Sequence, residues 1–582
     1  MSSNYRAGLP LEHPHPADAI AISSGQAEAA GSPAPGSRAA LTRRLLLAAI
    51  LVVAGWVGSR GILNEGSVSL QGDMPRYMLN GVFLYDFIVQ GGAWTPNEIF
   101  RFAEKYYAKY PALSLGHHPP LLAVILAPVY AVFGVSVFWS RMAILAFFMI
   151  AAGAMFSLTR RMYSVAVAAW ATLLFVTNPA VTTYSQVVLS EMPMLAFVLL
   201  GMNALGRFVE SGSRRHYAWF VAAAVASIYA KQLAIFMLPV YFAYLVACVG
   251  WRRLLQSDVI GLTVLGVLAS LPMAAVTFML SPLNVLVVRT MTSTGRGFQY
   301  TQPVLQTILN AHLTMPMMLV VVAGIALSLL ARDKRILVGL VWSAGVVAAV
   351  LYLTARVDPP RYAMVAVPGY FLCAASALAA VRRAPARLAV TAMLAAAVGY
   401  QLWLGRSVRP TGAEGYEAAA QYVLAQGNSP TIMFSGPVDT GYFVFFARKH
   451  DPLGRHVILR SDKVFTTSRM SRSSYENRIK DRQEIYDLLK KYGTRFIVIE
   501  DRPADARVLE WFREELKTDH FVERHRIPIV TNDRRLRDVS LAIYEYKDAQ
   551  PPDPNVDLQL NVPLVGRAVS VPLHELIDFE RK

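Results

Sequence analysis

The chain has 582 residues, 54% of them hydrophobic and only 16% charged, a balance too apolar for a water-soluble globule. Its formal net charge of +17 would suit nucleic acid, but the basic residues stand in short blocks at the ends of apolar runs, where the positive-inside rule accounts for them. The two cysteines, Cys248 and Cys373, both lie inside apolar runs, which excludes a disulfide framework.

In chain order, residues 1–40 carry His, Pro, Ser, Gly and Ala without an apolar period and read as a disordered cytoplasmic leader. An apolar core follows Arg43 and Arg44, from Leu45 to about Leu63. It is too long for a cleavable signal and reads as an uncleaved anchor. Asn64 to His118 is polar and aromatic, with Asp73, Arg76, Asp86, Glu98 and Glu104, and forms the longest loop among the spans. Pro119 to Val135 is apolar but short and contains three prolines, so it either crosses or lies in the interface. Further spans are predicted at about 139–159, 165–182, 190–208, 217–231, 234–250, 258–280, 314–331, 335–354, 362–380 and 387–404.

Charge decides the topology. If Pro119 to Val135 does not cross, the clusters at Arg43/Arg44, Arg160/Arg161, Arg214/Arg215, Arg252/Arg253, Arg332 to Arg335 and Arg382 to Arg387 all fall on the cytoplasmic side. That gives about eleven spans with one interfacial or re-entrant segment. The same count puts the Asn64–His118 loop, the turns at Gln186–Glu191, Lys231–Gln232 and Arg356–Arg361, and the loop around Arg289 and Arg296 on the outer face. It also exports residues 411–582. Their strand-like runs (Thr431 to Ser435, Arg495 to Glu500, Val539 to Tyr546) and helix-like runs (Gln483 to Tyr492, Ala504 to Leu516) predict a small α/β domain.

The chemistry-bearing residues gather on that outer face. Asp73, in QGDMPRYM, stands just after the first span, where a carboxylate can take the proton of an acceptor hydroxyl or help hold a metal that does so. A solvated loop acid is the plain alternative. Glu191, in VVLSEMPMLAF, sits at the start of a span, where a buried charge points to function; an N-terminal helix acid with Ser190 as its cap is the competing reading. Lys231, in YAKQLAIF, is the only basic residue between Tyr217 and Gly250 and asks for an anionic partner, a phosphate or Glu191, unless it only snorkels. In TARVDPPRYAM, Arg361 offers a planar fork for a phosphate, with Arg356 and Tyr362 beside it; an ion pair with Asp358 is the alternative. His117 and His118, in SLGHHPPLLAV, could donate to a phosphate or ligate a metal, although sequence neighbours point apart. No Cys cluster, phosphate-binding glycine loop or nucleophile elbow is present.

Taken together, the acid after the first span, the His-Pro-Pro-Leu-Leu end of the long loop, the Ser-Glu-Met-Pro turn, the Lys-Gln turn and the late Arg-Tyr resemble the GT-C superfamily of lipid-sugar-dependent glycosyltransferases. The branch most similar is that of bacterial relatives of dolichyl-phosphate-mannose protein mannosyltransferases and of the lipid A aminoarabinose transferase. The resemblance covers about residues 40–405. It implies a polytopic α-helical membrane protein of GT-C type, with residues 41–405 as the catalytic domain, in the inner (plasma) membrane of a cell envelope. Such an enzyme moves a hexosyl or pentosyl group from a polyprenyl phosphate to an acceptor hydroxyl on a lipid, glycan or protein, outside the cytoplasm and with inversion.

By that resemblance Asp73 matches the first-loop acid, as general base or acceptor-orienting group, and Glu191 the second acid, assisting it. Lys231, Arg361 and His118 would hold the donor phosphate, with His117, Arg76, Tyr362 and Arg356 as further candidates. Two departures stand out. The aminoarabinose branch has Glu-Lys before the Pro-Pro where this chain has His117-His118, and protein-mannosylating members often pair Asp with Glu where Asp73 is followed by Met74. The second departure speaks against protein O-mannosylation and leaves a divalent metal open. A transporter or flippase of lipid-linked sugars is the alternative class; it predicts inverted repeats and charges near the midplane, neither of which the sequence shows. A membrane-anchored scaffold is a third.

Overall fold

The computed structural model describes residues 37–60, 66–69, 73–90, 94–279, 298–353, 359–407, 410–427, 429–436, 440–468, 475–504, 506–553, 555–562 and 567–577. The apolar stretches fold as helices. They are α1 (Ser37–Gly58), α4 (Leu121–Phe133), α5 (Val137–Met162), α6 (Val165–Thr177), α7 (Pro179–Ser185), α8 (Glu191–Ser211), α9 (Arg214–Ala230), α10 (Leu238–Val249), α11 (Trp251–Leu254), α12 (Ser257–Met279), α13 (Phe298–His312), α14 (Met315–Leu330), α15 (Ile336–Leu353), α16 (Pro359–Tyr362), α17 (Val367–Ala380) and α18 (Ala384–Ser407). Polar caps set several boundaries: Ser136 accepts from the Trp139 amide, Ser164 from that of Val167, and Asn178 from those of Ala180 and Val181.

Among the described residues seven helices are long and apolar enough to cross a membrane, or up to nine if each of two bent pairs is one span. The chain is a multi-pass membrane protein. Eleven apolar stretches were expected to cross, and the difference has local causes. The sixth and seventh helices bend by 64° at Asn178, before Pro179, whose missing N–H cannot continue the ladder. The end of α13 meets α14 at 95°. α9 has 17 residues, and the apolar part of α15 (Ile336–Leu351) is also shorter than an upright crossing needs. α4, at 13 residues, spans about 20 Å, short of the ~30 Å hydrocarbon thickness. The first helix ends at Gly58, and Leu63 lies outside the described residues, as do the loop with Arg289 and Arg296 and the residues Arg356 and Asp358.

The basic clusters gather at one end of the bundle. Arg161 pairs with Glu210 at 2.6 Å, Arg253 donates to the Gly212 carbonyl, and Arg335 donates to the Met162 carbonyl and lies over the Tyr163 ring. Arg43, Arg161 and Arg207 lie close enough to Arg160 to repel it. The starts of α8 and α16 and the end of α9 lie at the opposite end.

The long first loop is not an open loop. It contains α2 (Met74–Val89), with Pro75 in its first turn, and α3 (Pro96–Lys109), capped by the Thr95 hydroxyl on the Glu98 amide. Met74, Met78, Val82, Phe83 and Phe87 give α2 a buried face, a helical period hidden among the tyrosines of this segment.

After α18 comes a strand-containing C-terminal domain. Its central mixed sheet is built from β3 (Thr431–Ser435), β4 (Val457–Arg460), β5 (Thr494–Glu500), β6 (Phe521–Pro528) and β8 (Ser540–Tyr546), in the order β4-β3-β5-β8-β6. The first three strands are parallel, and β8 is antiparallel to both its neighbours. Helices Tyr416–Ala425 (α19) and Thr440–His450 (α20) pack beside it. A second, small sheet joins this domain to the first loop: β1 (Val68–Ser69) pairs with β2 (Gly412–Glu414), and β2 with β7 (Val530–Thr531).

Candidate active site

Five chain segments, far apart in sequence, meet at the end of the bundle opposite the basic clusters. Asp73 immediately precedes α2. It makes no capping bond with its side chain, which is left to reach across the site. Its Oδ2 accepts from Arg361 Nη1 at 2.7 Å, its Oδ1 accepts from Arg76 Nη1 at 3.3 Å, and His118 Nε2 lies 3.7 Å from Oδ1. Burial opposes ionisation of Asp73, but the surrounding positive groups outweigh it and hold the carboxyl well below its usual range. His118 is itself buried, which holds its ring well below the usual histidine value despite the pull of Asp73. With His118 neutral, the arginines hold the Asp73 charge.

Glu191, the first residue of α8, is fully buried. Its Oε1 accepts from both Lys231 Nζ and Arg361 Nε, while its Oε2 has no hydrogen-bond partner. Arg361 therefore links the two acids, Nη1 to Asp73 and Nε to Glu191. The alternative pairing with Asp358 lies outside the described residues. Lys231 follows the end of α9 and is 6% exposed; burial, aided by Arg361 and opposed by Glu191, pushes its pKa down to about 8. Its ammonium also sits 5.8 Å from the centre of the Tyr362 ring.

The supporting contacts include residues the sequence did not single out. Tyr77, one turn after Asp73, stacks on His118 with ring centres 4.3 Å apart and shares a 2.8 Å hydrogen bond with Ser190. Ser190 thus does not cap α8 with its side chain, as the competing reading of Glu191 had it; it ties α8 to α2. Gln232 donates to the His117 carbonyl at 3.3 Å. His312, at the end of α13, is 2.7 Å by its Nε2 from the Pro360 carbonyl, the residue before Arg361, so that nitrogen carries the proton. Asn178, at the α6–α7 bend, donates to the His312 carbonyl at 2.8 Å. A lone histidine beside a Thr-Met-Pro helix break was the available signal for His312; Tyr77 had none beyond its i+4 spacing from Asp73.

Of the candidates, Asp73, Arg76, His117, His118, Glu191, Lys231, Arg361 and Tyr362 come together, and Arg356 lies outside the described residues. Asp73, Tyr77, His118, Lys231, Arg361 and Tyr362 form the polar end of a cavity of about 850 Å³. The rest of its wall is mostly apolar and comes mainly from α9, α10 and α12, from Ile228, Val225 and Phe220 as far as Tyr217 near the opposite end of α9. Along α9 this is 14 residues from Lys231, or about 21 Å.

The acids do not fit a divalent ion as they stand. Both face arginine or lysine nitrogens, and among the described residues no three His, Cys, Asp or Glu side chains converge.

Comparison with known proteins agrees with this architecture. Residues 117–277 match the family model of dolichyl-phosphate-mannose-protein mannosyltransferases, a segment that includes His117, His118, Glu191, Lys231 and much of the cavity wall. No curated protein sequence matches the chain. Among solved structures, ArnT from Cupriavidus metallidurans bound to undecaprenyl phosphate superposes with a TM-score of 0.57 at 13% identity, over 89% of this chain and 100% of that one. Its apo state gives 0.55 at 14%, over 88% and 100%. The arabinofuranosyltransferase AftD from Mycobacteria gives 0.51 at 14%, over 88% of this chain and 40% of that one. The chain thus has the GT-C glycosyltransferase fold, with residues 117–277 matching the mannosyltransferase family within it.

Proposed function

We propose that the protein transfers a sugar from a polyprenyl phosphate to an acceptor hydroxyl on the extracytoplasmic face, with inversion at the anomeric carbon. The observation that carries this reading is the placement of Lys231 and Arg361, beside two acids, at the polar mouth of a long apolar cavity. An isoprenoid tail suits the walls of α9, α10 and α12, and its phosphate suits the two cations. The likeness to ArnT, whose structure holds undecaprenyl phosphate, supports the same ligand class.

In the reaction the acceptor oxygen attacks the anomeric carbon while the bond from that carbon to the phosphate oxygen breaks. The bond pair stays with the phosphate, where Lys231 and Arg361 stabilise the growing charge. The acceptor proton goes to Asp73. Asp73 paired with Arg361 is a weak base; a donor phosphate that draws Arg361 toward itself raises its basicity at the moment it is needed. Glu191 keeps Lys231 and Arg361 in place behind the phosphate. Holding donor and acceptor in line supplies a further part of the rate.

With the basic end of the bundle taken as the cytoplasmic side, our reading has this site and the C-terminal domain on the outer face of the plasma membrane. A flippase reading has less support, because the charged groups collect at one end and the cavity's middle is apolar.

Binding tests the reading. Purified protein titrated with undecaprenyl phosphate should bind it saturably, far more tightly than the dephosphorylated polyprenol, and Lys231→Met should remove most of that preference. Equal affinity for the phosphate and the alcohol would contradict it.

A further inference from the structure

The segment that carries Asp73 is fastened on both sides to the C-terminal domain. Before it, Val68 and Ser69 pair with Ala413 and Gly412, which extend the small sheet to Thr531. After it, Asp86, in the last turn of α2, is 2% exposed and meets Arg448 of α20, which is 3% exposed. The contact is two-pronged: Arg448 Nε donates to Oδ2 at 2.8 Å and Nη2 to Oδ1 at 2.5 Å. Tyr106 of α3 adds a third donor to Oδ2 at 2.9 Å. Nearby, the fully buried Lys109 of α3 donates to the Gly454 and Leu576 carbonyls, and Arg460 donates to the Pro111 carbonyl at 2.9 Å.

A buried ion pair is weak evidence for stability, since desolvation of both charges offsets their attraction. What a planar, two-pronged pair does supply is orientation. α2 is a single 16-residue helix without an interior break, so the position of Asp86 is transmitted rigidly over the ~20 Å to Asp73. Midway, Asn80 exchanges hydrogen bonds with Ser114, and Gly81 lets Leu126 and Tyr130 of α4 approach closely. The helix is thus held at its middle by the bundle and at its far end by the C-terminal domain.

We propose that Arg448 is a positioning residue for the transferase site: through Asp86 and α2 it sets where the Asp73 carboxylate stands. The C-terminal domain is then part of the catalytic apparatus, because its seat on α2 aims the base. This rests on the transferase reading above for its kinetic arm only.

The test uses the full chain in three forms: wild type, the neutral pair Asp86→Asn/Arg448→Met, and the reversed pair Asp86→Arg/Arg448→Asp. The neutral pair leaves no orphan charge and so keeps the domain folded. It should lower kcat by at least about tenfold, keep affinity for undecaprenyl phosphate within about twofold, and speed hydrogen exchange at amides 77–80 by about tenfold. The reversed pair should restore slow exchange and part of kcat. Unchanged kcat and exchange in the neutral pair would overturn the proposal. So would lipid affinity falling in step with kcat, or a reversed pair that restores nothing. If wild type shows no transfer at all, the transferase reading fails while the exchange arm still tests the clamp.

Discussion

Asp73, Glu191, Lys231 and Arg361 form one electrostatic unit, and each should fail in its own way. Asp73→Asn keeps the shape and loses the base, so transfer should fall by about 10²–10⁴ while undecaprenyl phosphate still binds; an activity within a few-fold of wild type would remove Asp73 from that role. Lys231 gives the site a pH limit. A lysine whose pKa is lowered to about 8 is charged below that value and neutral above it. Donor affinity should therefore hold up to about pH 8 and drop on the order of tenfold by pH 9, as the charged fraction falls to about one tenth. Lys231→Arg should flatten the profile, which a KM-versus-pH series would show. These four residues were legible because the basic blocks collect at the other end of the bundle, so charges at the outer span ends stand apart, and a buried one is costly. Their mutual pairing was only half legible: Glu191 was named as a partner for Lys231, but the Arg361 bridge between the acids joins positions 170 and 288 residues apart, beyond the reach of any local pattern.

At the scale of elements, broken helices do the positioning. The α13–α14 bend leaves His312 against the Pro360 carbonyl, and the α6–α7 bend supplies Asn178 to the His312 carbonyl. His312→Phe removes the donor to Pro360 and should reduce kcat/KM by on the order of 10²-fold through a misplaced Arg361; His312→Gln, whose amide can replace Nε2–H, should recover most of it. The cavity wall makes a separate prediction. Ala274 of α12 lines the groove, so Ala274→Trp should weaken undecaprenyl phosphate on the order of tenfold by displacing part of its tail from the apolar wall. A donor with a tail of two isoprene units should be affected much less, and an equal loss for both would place the tail elsewhere. Hydropathy found the long apolar helices in this bundle but missed α13, which falls in a stretch read as an outer loop, and missed the bends, because a bend is set by a single Pro or Asn within an otherwise apolar run. α2 was also hidden: its buried face is made of Met, Phe and Tyr within a segment whose polar residues read as loop.

For the whole molecule, the outer surface of the bundle carries Val52, Val132, Leu265, Leu330, Leu388 and Trp403 exposed, as a lipid-facing belt should, and the basic clusters close one end. Five elements of the C-terminal domain fall where alternation and helical period placed them, at Thr431–Ser435, Thr494–Glu500, Ser540–Tyr546, Gln483–Lys491 and Arg507–Glu515, while β4, β6, α19 and α20 were not read from the sequence. Its seat on α2 and α3 was not readable, since Asp86 and Arg448 are 362 residues apart. Removing one side of that buried pair strands a charge, so Asp86→Ala should cost about 3–5 kcal/mol, seen as a lower unfolding midpoint, and Asp86→Ala/Arg448→Met much less.

Sugar transfer from a polyprenyl phosphate is tested most directly in a deletion strain complemented with wild type or Asp73→Asn at matched protein level, by mass spectrometry of its envelope glycans and polyprenyl-phosphate sugars. The prediction is loss of one sugar from an envelope acceptor with build-up of its lipid-linked donor, reversed by wild type and not by Asp73→Asn. Full restoration by Asp73→Asn, or a deletion that leaves both pools unchanged, would contradict it.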